Sequence, residues 1–535
     1  MKQLKVVLIT AFSILLYACG GGSDSNDNST PPPSGGSGQA ATISGTATYD
    51  NVPHNTSTSG LNYNATTQDP IRGATVQLLE GSSGSTVIDT TVSDANGRYS
   101  LQGETGATYR IRIRAELKKT GTPAWDVEVV DNTNSGALYV LDSESFSPSS
   151  TSTTRNLNAA SGWGGSSYIS TRAAAPFHIL DRAYEIIAKL QTVDADIQLP
   201  SLVINWSPNN IPEPGDTSTG KINTSFYSNG KIFLLGAEDT DTDEYDGHVI
   251  IHEWGHYFED TNARSDSIGG RHAGGDRLDM RVAFGEGFGN AWSGIITDDP
   301  LYRDSFGPNQ ASGFVINVEN NNVSNPGWFS EGSVQSILYD IYDSNNEDPS
   351  SLGLQPIYDV LTGSQRDTQA FTSIFSFMTY MKANNPGDTA SLDLLLIDQN
   401  IQTNVDIWGS NETDSEGQPE VLPVYETFSA GDSRQLCTIS TFGGFSSNEN
   451  RNKLGNRKFL RLNIQTNGSY TLRLTPSGSR DLDGYIYSRG TIVAADDSFT
   501  SSTVNITQNF SAGTYVADVL VWDQADCFDV SLIQN

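Results

Sequence analysis

Residues His252-Glu253-Trp254-Gly255-His256 set two imidazoles four positions apart, with a carboxylate beside the first. On an α-helix, positions i and i+4 are neighbours on one face, so both rings can hold one ion without bending the backbone. Glu253 can reach a water on that ion, and zinc lowers the pKa of such a water toward about 7, which makes a nucleophile at neutral pH. The chain has six histidines. From that composition a chance match to this spacing is on the order of a few in a thousand. The bland alternative is a helix with two ordinarily packed histidines. The preceding apolar run Val249-Ile250-Ile251 marks a buried helix, where unpartnered imidazoles are costly.

A zinc site needs a third protein ligand. A ligand set completed by Gly and His three and six residues past the second His is excluded, because Glu259 and Asn262 stand there. A glutamate on a following helix is the other common solution. Glu286 sits in Arg-Val-Ala-Phe-Gly-Glu-Gly-Phe-Gly-Asn, apolar on both sides. A carboxylate buried among Phe and Gly needs a partner such as a cation. Gly285, Gly287 and Gly289 weaken an isolated helix but let a second helix press close to the first.

His-Glu-x-x-His followed some thirty residues on by Gly-Glu-Gly-aromatic resembles the gluzincin clan, thermolysin-like peptidases broadly and fungalysins in particular. The resemblance covers roughly residues 175–430. It implies that His252, His256 and Glu286 bind zinc, that Glu253 is the general base, and that the substrate is a protein or peptide. Thermolysin-like enzymes carry an Asp four residues past the third ligand, and this chain has Asn290. An amide can orient an imidazole without supplying charge. Either the metal is tuned differently or another carboxylate, Asp260, takes that role. The family's downstream oxyanion-stabilising His is also missing, since no His follows His272. Tyr339, Tyr342, His272 or a nearby Arg of the loop 264–277 are the candidates for that donor.

The elements that must position these groups follow from periodicity. Leu180, Ala183, Ile187 and Leu190 predict one helical face, and Val334, Ile337, Leu338 and Ile341 another. Phe371, Ile374, Phe375 and Met378 make a third, so the chain past residue 280 reads as mainly helical. Leu202–Trp206 and Lys231–Leu235 read as strands. The second is expected to be the edge on which an extended peptide docks. The acidic run Asp239–Asp246 can bind Ca2+ as oxygen-rich loops do, or serve as a solvated loop; it lacks EF-hand spacing. Trp254 and Tyr257 are expected to pack, and His54 and His178 to be structural.

Residues 41–156 are short β-runs with turns, and Thr108–Arg114 has strict period two. "PIRGATVQLL" and "SDANGRYSL" resemble carboxypeptidase-regulatory-like modules, which implies a β-sandwich. From Asp432 the β pattern returns. "DLDGYIYSRG" and "SAGTYVADVLVW" resemble the pre-peptidase C-terminal domain, a β-sandwich appended to secreted bacterial peptidases. Cys437 and Cys527 bracket that domain, and in an oxidising compartment they are expected to pair.

Lys2 and Lys5, then the apolar run Val6–Leu16, describe a secretory signal too short to span a bilayer. Leu16-Tyr17-Ala18-Cys19 resembles a lipobox, which implies lipidation of Cys19 and a bacterial outer-membrane or cell-surface location. Residues 20–40 read as a solvated tether. A net charge of −32 disfavours a nucleic-acid partner. The sequence therefore predicts a multi-domain chain: signal peptide 1–19, tether 20–40, β-sandwich 41–156, an α+β zincin peptidase domain 173–430 with a mainly helical C-terminal half, and β-sandwich 432–535. The expected activity is zinc-dependent peptide hydrolysis, leaning to endopeptidase because no amine-recognition signature is present. The rival readings are an exopeptidase, and a zincin-fold surface binding protein or adhesin that no longer cleaves.

Overall fold

Alternation decides the first half of the chain. In the strand Tyr109–Lys119, Tyr109, Ile111 and Ile113 are buried while Arg110, Arg112 and Arg114 between them are partly exposed. The computed structural model describes residues 38–344, 349–446, 448–498 and 503–535. The signal peptide, Cys19 and the tether up to residue 37 lie outside the described residues.

The first strand, Ala40–Asn51, organises a five-stranded sheet. It pairs antiparallel with Thr67–Pro70 and Arg98–Glu104, and parallel with Ser152–Thr154 and Leu157–Ala159. The nine-stranded sheet runs in the order 226–228, 231–234, 202–206, 125–131, 109–119, 74–80, 87–92, with two short strands beside it. It crosses the expected boundary between residues 156 and 173, because Trp125–Asp131 pairs parallel with Leu202–Trp206. The N-terminal β-region and the helical region therefore share one sheet and one core, which runs from Ile43 through Ile111, Ile204 and Ile251 to Phe375. The cause is register: Val127 and Val129, buried on the earlier strand, sit opposite Leu202 and Ile204.

Among the described residues the α-helices that follow are α1 (Ala175–Leu190), α2 (Gly247–Thr261), α3 (Met280–Thr297), α4 (Glu331–Tyr342), α5 (Leu354–Asp359), α6 (Ile374–Asn384) and α7 (Thr389–Asp398). The apolar stripes expected on α1 and α4 are buried throughout. Phe371 is buried too but lies ahead of α6 rather than on it. The helical stretch is interrupted by a hairpin, Leu301–Phe306 with Ser312–Asn317, which the sequence reading missed. It belongs to a four-stranded sheet with Gly236–Ala237 and Asp241–Thr242.

The C-terminal region is two sheets around a separate core that includes Leu460, Leu472, Ile486, Val519 and Phe528. One has the order 425–429, 457–464, 513–521, 482–488, 491–496, and the other 433–437, 527–534, 468–476, 504–510. Tyr425–Ser429 already belongs here, ahead of the expected start at residue 432. Cys437 and Cys527 face each other across antiparallel strands and form a disulfide. The chain is thus a multi-sheet α+β protein whose helical middle region, α2 to α7, is flanked by β-rich regions. Among the described residues, no helix is long and apolar enough to cross a membrane.

Candidate metal centre

Helix α2 is fixed by its apolar face. Trp254, Tyr257 and Phe258 are fully buried, which turns His252 and His256 toward α3. Helix α3 is buried almost all round, from Met280 to Ile296. Glycines make that possible. A side chain at Gly289 would place its Cβ 2.8 Å from the His252 ring, and one at Gly287 would meet Val334 of α4 at 2.5 Å. Gly255 of α2 faces Gly289 in turn. The close approach expected from this Gly-rich stretch is what lets α3 bring a carboxylate under two imidazoles.

The three expected ligands converge. His252 Nε2 and His256 Nε2 are 3.1 Å apart, and Glu286 Oε2 lies 3.4 Å from the first and 3.5 Å from the second. A tetrahedral zinc with bonds of about 2.0–2.1 Å keeps its ligand atoms about 3.3–3.4 Å apart, so three such contacts match the edges of one face of that polyhedron. The outer nitrogen of His252 points to its tautomer. His252 Nδ1 is 3.0 Å from Asn290 Oδ1, while Asn290 Nδ2 donates to Gln335 Oε1 at 3.0 Å. The amide oxygen therefore faces the imidazole, and Nδ1 carries the proton. His256 Nδ1 points at Glu259 Oε2, 3.5 Å away. That leaves His252 Nε2 facing His256 Nε2 and the Glu286 carboxylate, a donor set that fits a divalent cation once His256 gives up its proton.

Charge in the pocket is strongly coupled. Burial alone would lift Glu286, but His272 and His256 outweigh it and hold its carboxyl well below the usual range. Burial alone would depress His256, but Glu286 and Glu259 raise its imidazole well above its ordinary value. Burial raises Glu259 despite its neighbour His256. Glu253, on the same helix and buried, adds its field to His256 and to the Tyr302 hydroxyl.

The supporting residues differ in part from expectation. Asn290 Oδ1 faces the His252 imidazole. Asp260 does not; its carboxylate accepts from the Tyr227 hydroxyl at 2.5 Å on the surface. Glu259 stands beside His256 instead, and its i+3 spacing from that residue was the available signal. Tyr339 and Tyr342 are also elsewhere. The Tyr339 ring covers Gly294, and the Tyr342 hydroxyl meets Lys189 at 2.7 Å and Asp298. His272 is the oxyanion candidate that the fold brings in, with Nε2 3.2 Å from Glu286 Oε2 and 3.9 Å from Glu331 Oε2. Its loop is clamped from the C-terminal region. Arg271 N donates to Asn448 O at 2.9 Å, and Lys453 Nζ to Arg271 O at 2.7 Å. Tyr302, edge-on to His252 at 6.1 Å between centroids, was not anticipated.

The strand expected to dock a peptide is not an edge. Lys231–Leu234 pairs on both sides, with Phe226–Ser228 and Leu202–Trp206. The acidic run contributes a second cluster: single oxygens of Asp241, Asp243 and Asp304 lie within 4.8 Å of one another. Burial, with Asp246 as the chief neighbour, pushes Asp304 up to about 8 and Asp241 up to about 7. His54 binds Asp246 at 2.9 Å and His178 binds the Glu244 carbonyl at 2.7 Å, both structural roles.

No known protein family matches the chain, and no curated protein does. Solved structures resemble segments of it. A pre-peptidase C-terminal domain of collagenase from Bacillus anthracis is 7% identical, covers 20% of this chain and 93% of its own, and gives a TM-score of 0.17. A 9R-lipoxygenase from Cyanothece PCC8801 is 11% identical over 32% of this chain and 27% of its own, with a TM-score of 0.14. PliG of Aeromonas hydrophila, a periplasmic inhibitor of g-type lysozyme, is 12% identical over 20% and 96%, with a TM-score of 0.13. Likenesses at this level carry no argument about function.

Proposed function

We propose that the chain is an exported zinc peptidase of gluzincin type, with a zincin domain between two β-sandwiches, acting as an endopeptidase on extracellular proteins. The observation that carries this reading is the meeting of two imidazole Nε2 atoms and the Glu286 carboxylate at one point, with Glu253 one residue from the first ligand. When bound there, zinc supplies Lewis acidity and acidifies water. Asn290 orients the His252 ring so that its Nε2 faces the metal position, and Glu259 sets a negative charge beside His256 Nδ1. Glu253 takes the proton of the attacking water and passes it to the leaving amine. His272, partly exposed on the open side, donates to the carbonyl oxygen as charge gathers on it.

The edge that suits an extended substrate is Ser312–Asn317, which pairs on one side with Leu301–Phe306. Among the described residues its other side is open except for a bridge from Ser59 to Ser312. The Cys437–Cys527 disulfide supports an oxidising compartment, and Cys19 is assigned to a lipid anchor in the outer membrane. The cluster Asp241, Asp243 and Asp304 offers only carboxylate oxygens, which suits a hard cation, and we assign it to Ca2+.

The test is metal analysis with casein hydrolysis for the parent and Glu253→Gln. Zinc is retained and cleavage lost in the variant. Equal cleavage by the two proteins would falsify the assigned role of Glu253, and a zinc-loaded parent that cleaves nothing would favour the surface binding protein.

A further inference from the structure

Beside the metal centre lies a cleft of about 290 Å³, at the small end for a ligand pocket. Its walls are the glycines that follow His272, the strand Ser312–Asn317 and the first turn of α4. Two contacts join it to the metal site. Gln335 in its wall accepts from the Asn290 amide that holds His252. Glu331 in its wall shares the His272 imidazole with Glu286.

Glu331 is the group that needs explaining. It is 7% exposed, and its Oε2 is buried and accepts no hydrogen bond. The basic nitrogen that faces it is His272 Nε2 at 3.9 Å, beyond hydrogen-bond reach. The position opens α4, where a carboxylate gains from the helix dipole. That gain supplies no donor to Oε2, and a buried carboxylate oxygen without a donor is costly. The other polar lining residues are Asn, Gln and Ser, and no Lys or Arg lines the cleft. Among the described residues Glu331 is thus the one formal charge in that wall.

Resting on the peptidase reading above, we propose that this cleft is a substrate subsite whose buried Glu331 carboxylate binds a cationic nitrogen of the peptide, an ammonium or guanidinium group. The strand Ser312–Asn317 carries the peptide backbone along the cleft, and the cation fills the missing donor at Glu331 Oε2. Two sources share this chemistry: a Lys or Arg side chain near the scissile bond, and a free amino terminus.

The experiment uses the full zinc-loaded chain and matched peptides differing only by Lys or its neutral isostere norleucine, each with a free or an acetylated amino terminus. For the parent, the Lys peptide is cleaved with kcat/KM at least ~10-fold above the norleucine peptide, the order expected for a desolvated charge pair. Glu331→Gln, which keeps the shape, brings that ratio to within about twofold. A preference that follows acetylation instead assigns the cation to the amino terminus. A parent that ranks Lys, norleucine, free and blocked peptides equally overturns the proposal, as does a Glu331→Gln protein that keeps the parental ratio. Binding of the same peptides to Glu253→Gln, with and without Glu331→Gln, separates the two claims. Glu331-dependent Lys binding without cleavage by the parent overturns the peptidase reading and leaves the subsite standing.

Discussion

Asn290 Oδ1 faces His252 Nδ1 at 3.0 Å, and its amide nitrogen is held by Gln335. The orientation of the His252 imidazole thus depends on a neutral relay running from α4 through α3 to α2. Asn290→Leu keeps the volume and removes the acceptor, so zinc affinity falls by about 10–100-fold. Gln335→Leu frees the amide to flip and moves affinity the same way by less. Chelator competition reads both, and parental affinity in Asn290→Leu would show that the relay is decorative.

Two adjacent carboxylates make a paired test. Glu259 is 1% exposed and points at His256 Nδ1, while Asp260 bonds Tyr227 at the surface. Glu259→Gln weakens zinc binding by on the order of 10-fold, and Asp260→Asn leaves it unchanged. The reverse order, measured in the same competition assay, would restore the assignment that the sequence suggested.

His272 is placed by residues far away in sequence. His272→Ala lowers kcat by on the order of 100-fold while zinc stays bound, as for loss of one oxyanion donor. Lys453→Met removes the bond to Arg271 O and loosens the loop, so kcat falls by less and zinc content does not change. A Lys453→Met enzyme with parental kcat and KM would mean that the C-terminal region does not position the loop.

What was legible in the sequence was local. The His252, Glu253 and His256 spacing is a property of one helix turn, and the glycines around Glu286 betray close packing on their own. Period two in Tyr109–Arg114 and the stripes of α1 and α4 are likewise short-range patterns. What could not be read was long-range pairing. Whether Lys231–Leu234 is an edge depends on Phe226–Ser228 turning back on it and Leu202–Trp206 arriving beside it. The shared sheet of Trp125–Asp131 and Leu202–Trp206 joins strands with a whole helix between them, so two segments of different periodicity look like two domains. Glu259 and Asp260 stand three and four positions past His256, and that spacing alone does not say which of the two carboxylates turns toward its ring.

The Asp241, Asp243 and Asp304 cluster gives a pH dependence with a definite sign. Burial, with Asp246 as the chief charged neighbour, pushes Asp241 up to about 7 and Asp304 up to about 8, against 3.8 in an unfolded chain. The folded protein therefore holds protons that the unfolded chain releases between about pH 4 and 8. The stability these groups contribute is fully present below about pH 4 and is lost as pH rises through 7 and 8. In chelator, Tm falls from pH 5 to pH 8 because of this cluster. A calcium ion replaces the protons, so it raises Tm more at pH 8 than at pH 5. Asp304→Asn removes one charge and one ligand, which flattens the pH slope in chelator and shrinks the calcium response. Scanning calorimetry at the two pH values with and without calcium reads all of this. A calcium shift no larger at pH 8 than at pH 5, or one untouched by Asp304→Asn, would place the ion elsewhere.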